Sequence, residues 1–183
     1  LSLLDAEGQP WTQPLAINQL ASGRSGLWLA TMDGVYALDT ASLRLRPLSL
    51  DLPEVANGRV HVSALHEDAR GALWVGFWND GLARFEPDSG RTHWYHPSLG
   101  NSGALRATSV HSLLERGDRL YVGSNRGIAA YRRDCDCLRG LNLPEWEARE
   151  GRGVIITSLV AEGEGDGLWA GVWGSGLARF SAF

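Results

Sequence analysis

The sequence predicts an all-β fold: a β-propeller of four-stranded antiparallel blades, about four blades in this chain. Three observations predict it. Aromatic anchors at Trp28, Trp74, Tyr121 and Trp169 follow one another at spacings of 46, 47 and 48 residues. Each anchor is trailed by a Gly and a branched apolar residue, namely Gly34-Val35, Gly81-Leu82, Gly127-Ile128 and Gly176-Leu177. Each is also preceded by an apolar-x-x-Leu quartet, at Ile17 and Leu20, Val62 and Leu65, Val110 and Leu113, and Ile156 and Leu159. A three-part pattern repeated at a period of roughly 40–50 residues is the signature of propeller blades.

Each element follows in order. In Trp74-Val75-Gly76-Phe77-Trp78, successive side chains alternate faces, and Asn79-Asp80-Gly81 after them is a hairpin-turn signal. The second repeat therefore reads as strands over 62–67, 73–78, 82–86 and 92–96. Turns at Asp68-Ala69-Arg70-Gly71, Asn79-Asp80-Gly81 and Pro87-Asp88-Ser89-Gly90 separate them. The other repeats place turns at Asp33-Gly34, at Gly117-Asp118 and over 163–167. Both faces of such a sheet pack on neighbouring blades, which accounts for large residues alternating with Gly along one strand. A leucine-rich or helical solenoid would need an LxxLxL pattern or a 3.6-residue period, and neither is present. One helical turn is expected at 144–149, where Pro144 suits a first helical position and Glu145 faces Arg149.

These boundaries make 1–183 a single propeller segment, with complete blades at 16–60, 61–108 and 109–154 and a last blade at 155–183 that lacks its fourth strand. Residues 1–15 read as the last strands of a split blade. Either 9–15 complete the C-terminal blade and close a four-bladed ring, or the chain is an arc of a larger ring. In the second case the ring is completed by self-association or by missing parent sequence. Starting at Leu1, with Met32 its only methionine and no leader pattern ahead of the domain, the chain reads as a piece of something longer.

Composition narrows the chemistry. All 17 basic residues are Arg, so Schiff-base and P-loop lysine chemistry are excluded. A net charge of −4 argues against a nucleic-acid partner, and against contact with an anionic membrane by this segment. There is no run of 18 apolar residues to span a bilayer.

Residues 67–76, Glu-Asp-Ala-Arg-Gly-Ala-Leu-Trp-Val-Gly, followed by Asn79-Asp80-Gly81-Leu82-Ala83-Arg84-Phe85-Glu86-Pro87, closely resemble the two-component regulator propeller repeat. That pattern is roughly D-x-x-G-x-LW-[IV]-GT-x-x-G-[GL]-x-R-[FY]-[DN]. The resemblance extends over nearly the whole chain and is strongest in repeats two and four. The usual Thr is replaced by Phe77, Ser124 or Val172, and the first repeat has Ala30-Thr31 for Gly-Thr. The resemblance implies a periplasmic, ligand-binding input domain of a bacterial sensor whose output is a histidine kinase or diguanylate cyclase.

Candidate site residues come from departures within the repeat. Repeats two and four share Trp-x-Gly-x-Trp-x-x-Gly-Leu-Ala-Arg-Phe, and only they carry the second tryptophan, Trp78 and Trp173. These tryptophans sit beside the turn to the third strand, on the face of the linkers at 51–59, 97–107 and 144–153. Aromatic platforms beside polar loops suit sugar rings or flat apolar ligands. The expected ligand-binding set is Trp78, Asn79, Asp80, Arg126 and Trp173; packing between blades is the plainer role for the two tryptophans. Arg84 and Arg179 occupy matching positions, suited to an anion or, more simply, to stacking on the neighbouring Trp with the head on a turn carboxylate.

Asn18, Ser63, His111 and Thr157 share the second quartet position and are expected to line a water-filled axial channel. His61 and His111 fall near the starts of innermost strands. His93 and His96 have a zinc-like spacing but point to opposite faces of a strand, so no metal site is expected. Cys135-Asp136-Cys137 is either a small disulfide in an oxidising compartment or two free thiols. No Gly-x-Ser-x-Gly, HExxH or phosphate-loop motif is present. The expectation is therefore a non-catalytic sensory module without a cofactor, binding a small molecule or oligosaccharide. A carbohydrate lyase or hydrolase and a protein-interaction scaffold are the alternatives.

Overall fold

The structure is a computed structural model, and it describes residues 2–51, 60–96, 105, 107–141, 154–163 and 167–181. All regular secondary structure among them is β-strand. Blade 1 is β1 (Ile17–Gly23), β2 (Gly26–Thr31), β3 (Gly34–Asp39) and β4 (Arg44–Leu48). Blade 2 is β5 (Val62–Glu67), β6 (Leu73–Phe77), β7 (Leu82–Glu86) and β8 (Arg91–Tyr95). Blade 3 is β9 (Val110–Arg116), β10 (Arg119–Ser124), β11 (Gly127–Arg132) and β12 (Cys137–Gly140). The last sheet has β13 (Ile156–Ala161), β14 (Gly167–Val172) and β15 (Gly176–Ser181). Every sheet is an antiparallel meander in chain order, as a propeller requires.

Alternation along the strands explains the stacking. In blade 2, Leu65, Val75 and Ala83 form one cross-strand row and His66, Trp74 and Arg84 the next, so the two rows face opposite neighbours. Blade 1 packs Ala30 and Val35 onto Val62, Leu65, Val75 and Phe77 of blade 2. Blade 2 packs Trp74, Leu82 and Tyr95 onto Val110, Leu113 and Val122 of blade 3. Blade 3 packs Tyr121, Ile128 and Ala130 onto Ile156, Leu159 and Ala170 of blade 4. The glycines inside the second strands mark the closest approach. A Cβ on Gly76 would lie 2.6 Å from Val110 Cγ1, and one on Gly123 2.8 Å from Ile156 Cγ2. Among the described residues no apolar cluster joins blade 1 to blade 4.

One expectation is corrected. Residues 9–15 do not complete the C-terminal blade: Pro10 pairs with Leu4, and Leu4 lies parallel to Arg44 at the outer edge of blade 1. Leu4 donates to the Leu43 carbonyl, and its own carbonyl accepts from Leu45. Trp11 meets the Tyr36 ring edge-on at 5.7 Å, because no preceding blade covers that side of the sheet. The helical turn expected at 144–149 lies outside the described residues.

Candidate functional site

The site is built from three tiers of equivalent positions. Each innermost strand skips one residue in its register with the second strand, at Asn18, Ser63, His111 and Thr157. Such a β-bulge leaves the extra residue out of the ladder and re-aims its side chain. Those four side chains line one cavity at the axis, of about 690 Å3. Two residues upstream, the carbonyls of Ala16, His61, Ser109 and Ile155 accept from the backbone N–H groups of Met32, Trp78, Asn125 and Trp173. These bonds, of 2.9–3.1 Å, hold the end of each second strand over the bulge. His61, Ser109, Ile155, Trp78, Asn125 and Trp173 join the four bulge residues in lining the cavity.

The mouth is aromatic. His61 stacks on Trp78 with ring centroids 5.5 Å apart and planes 13° from parallel, and His111 meets the same indole edge-on at 5.3 Å. Trp173 is 70% exposed. The Ser63 hydroxyl donates to the Val110 carbonyl, the Asn18 amide to the Val62 carbonyl at 2.7 Å, and the Ser109 hydroxyl to the Trp78 carbonyl. Burial pushes the His111 imidazole down from its ordinary value, which favours its neutral form. The cavity is thus lined by indole, imidazole, amide, hydroxyl and alkyl groups, a surface matched to an uncharged ligand with a flat or ring-shaped face.

Three of the five expected binding residues lie elsewhere. Asn79 and Arg126 are exposed and Asp80 half-buried, and none of them lines the cavity. They follow the strand end by two or three residues, where the turn has carried the chain away from the axis; the Arg126 N–H is held by Ser124 Oγ at 3.1 Å. His61, Ser109, Asn125 and Ile155 take their place. The repeat alignment carries the signal that finds them: Asn125 is the positional equivalent of Trp78, and Ser109 and Ile155 are those of His61.

Away from the axis, charged groups tie blades together. Asp68 accepts from the backbone N–H groups of Arg70 and Ala72 at 2.9 and 3.0 Å and from Trp74 Nε1 at 3.0 Å, and it pairs with Arg133 of blade 3 at 3.1 Å. Burial pushes its carboxyl up, but those donors outweigh it and hold it below the usual carboxylate range. Asp136 accepts from Tyr95 and Tyr131 at 2.6 Å each and pairs with Arg84 at 2.9 Å. The Arg84 guanidinium carbon lies 5.6 Å from the centre of the Trp74 ring, while Arg179 forms two bonds to Glu162, of 3.0 and 2.7 Å. Cys135 and Cys137 are joined by a disulfide that brackets Asp136. No group of three or more His, Cys, Asp or Glu that could hold a metal is found among the described residues.

This geometry defines a β-propeller, an all-β arrangement of blades about an axial cavity. Solved structures share it. The extracellular domain of the hybrid two-component system BT4673 from B. thetaiotaomicron aligns over 93% of this chain and 22% of its own at 21% identity, with a TM-score of 0.70. The computationally designed protein Ika4 aligns over 94% of both chains at 16% identity and a TM-score of 0.58. Ika8, also designed, aligns over 98% of this chain and 48% of its own at 15% identity and a TM-score of 0.59. At these identities the likeness is one of fold. The chain spans less than a quarter of the length of the BT4673 structures. No family model matches the sequence, and no curated protein matches it.

Proposed function

We propose that this chain is a ligand-binding, non-catalytic propeller segment of an extracytoplasmic sensory receptor. The observation that carries the reading is the axial cavity, where Trp78, Trp173, His61 and His111 offer ring faces beside hydroxyl and amide groups. The repeat resemblance to two-component regulator propellers supports the sensory role. So does the structural likeness to an extracellular domain of a signalling receptor. The Cys135–Cys137 disulfide fits an oxidising compartment such as the periplasm. The ligand is an uncharged small molecule or oligosaccharide whose rings stack on the two indoles.

The test is titration of the chain with neutral oligosaccharides of two to six hexose or pentose units, read by tryptophan fluorescence and calorimetry. Trp78→Ala and Trp173→Ala are expected to weaken binding by at least tenfold each, as loss of a stacking platform costs about 1.5–3 kcal/mol. Arg126→Ala, outside the cavity, is expected to leave affinity unchanged. Absence of binding across the series, or affinity indifferent to both tryptophans, overturns the reading.

A further inference from the structure

The turn from third to fourth strand takes a similar shape in three blades and is held differently in each. The residues just before β4, β8 and β12 are Leu43, Gly90 and Asp136, and all three sit in the left-handed region, at φ of 58°, 68° and 46°. Glycine adopts that region freely, whereas a side chain disfavours it. Blade 2 places a glycine there, and the Glu86 carbonyl accepts from the Gly90 N–H at 2.8 Å. In blade 1, Asp39 Oδ1 accepts from the N–H groups of Ala41 and Ser42 at 2.9 and 3.0 Å. Blade 3 has Arg132 where those blades have an acid, and its guanidinium pairs with Asp134. There a covalent bond closes the turn, between the sulfurs of Cys135 and Cys137 on either side of Asp136.

Asp136 is the residue this bond positions, and it reaches across the internal seam between blades 2 and 3. Its Oδ1 accepts from the hydroxyls of Tyr95 on β8 and Tyr131 on β11, and from Arg84 of β7. Its Oδ2 lies 3.7 Å from His93 Nε2, also on β8. One carboxylate therefore joins both outer strands of blade 2 to blade 3. Behind it the Trp74 ring packs on Tyr95 and Tyr131, with centroids 5.5 and 4.6 Å apart. A polar groove of about 460 Å3 opens at this seam, with Asp68, Arg84, Arg133 and Asp136 in its wall. A loop with one residue between its cysteines removes little chain entropy from the unfolded state, so the effect of the bond is local. The bond is also within reach of solvent, since Cys135 is exposed and Cys137 half-buried. Exposed disulfides are the ones that exchange with external thiols.

We propose that Cys135–Cys137 is a thiol–disulfide exchange site, and that its reduction by an external dithiol unclasps blade 2 from blade 3 at their outer edges. A thiolate of the dithiol attacks Cys135 Sγ. The new S–S bond forms as the Cys135–Cys137 bond breaks, and the electron pair leaves on Cys137 Sγ, which takes up a proton. The second thiol of the reductant, having lost its proton, attacks the reductant's own sulfur in the mixed disulfide and expels Cys135 as a thiolate, which is protonated in turn. The dithiol ends as a disulfide and the protein as two thiols, a transfer of two electrons and two protons. With the turn unlocked, Asp136 relaxes out of the left-handed region and its carboxylate leaves the two tyrosines, while Arg84 keeps Tyr131 and Glu86. None of these residues lines the axial cavity, so unclasping is independent of ligand binding there.

The test equilibrates the native chain with reduced and oxidised dithiothreitol in fixed ratios, counts thiols by alkylation and mass spectrometry, and follows amide hydrogen exchange. The untreated chain should take up no alkyl group and the reduced chain two, one on each cysteine. Reduction should speed exchange in β8 and β12 at least tenfold and leave β5, β6, β9 and β10 unchanged, and oxidised dithiothreitol should restore the slow rates. Asp136→Asn, with its disulfide intact, should already exchange faster in β8. The Cys135→Ser, Cys137→Ser double variant should reproduce the reduced pattern and ignore the dithiol; if it fails to fold, the reduced wild-type chain supplies the same comparison. Sulfurs that resist the dithiol in the native chain overturn the proposal. So does reduction that leaves β8 and β12 as slow as before, which would make the bond a plain staple, or that speeds every sheet alike. Unaltered exchange in Asp136→Asn would mean that the carboxylate is not the clasp, and would overturn it as well.

Discussion

Asp68 shows how much one side chain can hold. Its carboxylate is removed from water yet satisfied by two backbone N–H groups, an indole and a guanidinium, so it fixes its own turn, the blade anchor Trp74 and blade 3 together. Asp68→Ala would leave these donors without that acceptor and Arg133, among the described residues, with Glu115 at 2.9 Å. The expected cost is about 3–5 kcal/mol in urea denaturation. The same group sets a pH dependence. Its folded pKa lies below its unfolded one, so its contribution is complete above about pH 4 and is lost as pH falls through the folded value. Wild-type stability should therefore decline below about pH 4, and the Asp68→Asn variant should show a shallower decline over that range. The D-x-x-G pattern made this turn legible in the sequence; Arg133 as the partner was not, since it lies 65 residues away and only the stacking of blades brings it there.

At the scale of the strand, alternation and turn chemistry were enough to place β5 to β8 within a residue of their ends, because each side of the sheet is buried and a one-residue slip would expose it. What sequence periodicity does not encode is the bulge. Asn18, Ser63, His111 and Thr157 were recognisable as equivalent, but the register skip that turns them toward the axis arises from how the first two strands pair. The N-terminal segment misled for a related reason. Its pattern matches an outer hairpin, yet the pattern names no partner, and the uncovered edge of β4 provides one. Glycines within the second strands test the stacking directly. Gly76→Ala would push a methyl to 2.6 Å from Val110 Cγ1, against a packed neighbour that cannot move cheaply. The expected loss is about 1–3 kcal/mol, read as a lower urea midpoint with unchanged slope. Gly90→Ala, which meets nothing within 4 Å, carries only the strain of its φ of +68° and should cost less.

For the whole molecule, the arc behaves as a one-dimensional stack in which each blade is stabilised by its neighbours. Interior blades are flanked by a blade on both sides and end blades on one, and this asymmetry is written in burial: β10 is buried along nearly its whole length, while β1 and β15 alternate with exposed residues. Native-state hydrogen exchange should therefore rank protection by position in the arc, with β6 and β10 opening only through global unfolding and β1, β13 and β15 opening at lower cost. Uniform protection across the sheets would mean that the blades unfold as one unit irrespective of what covers their faces.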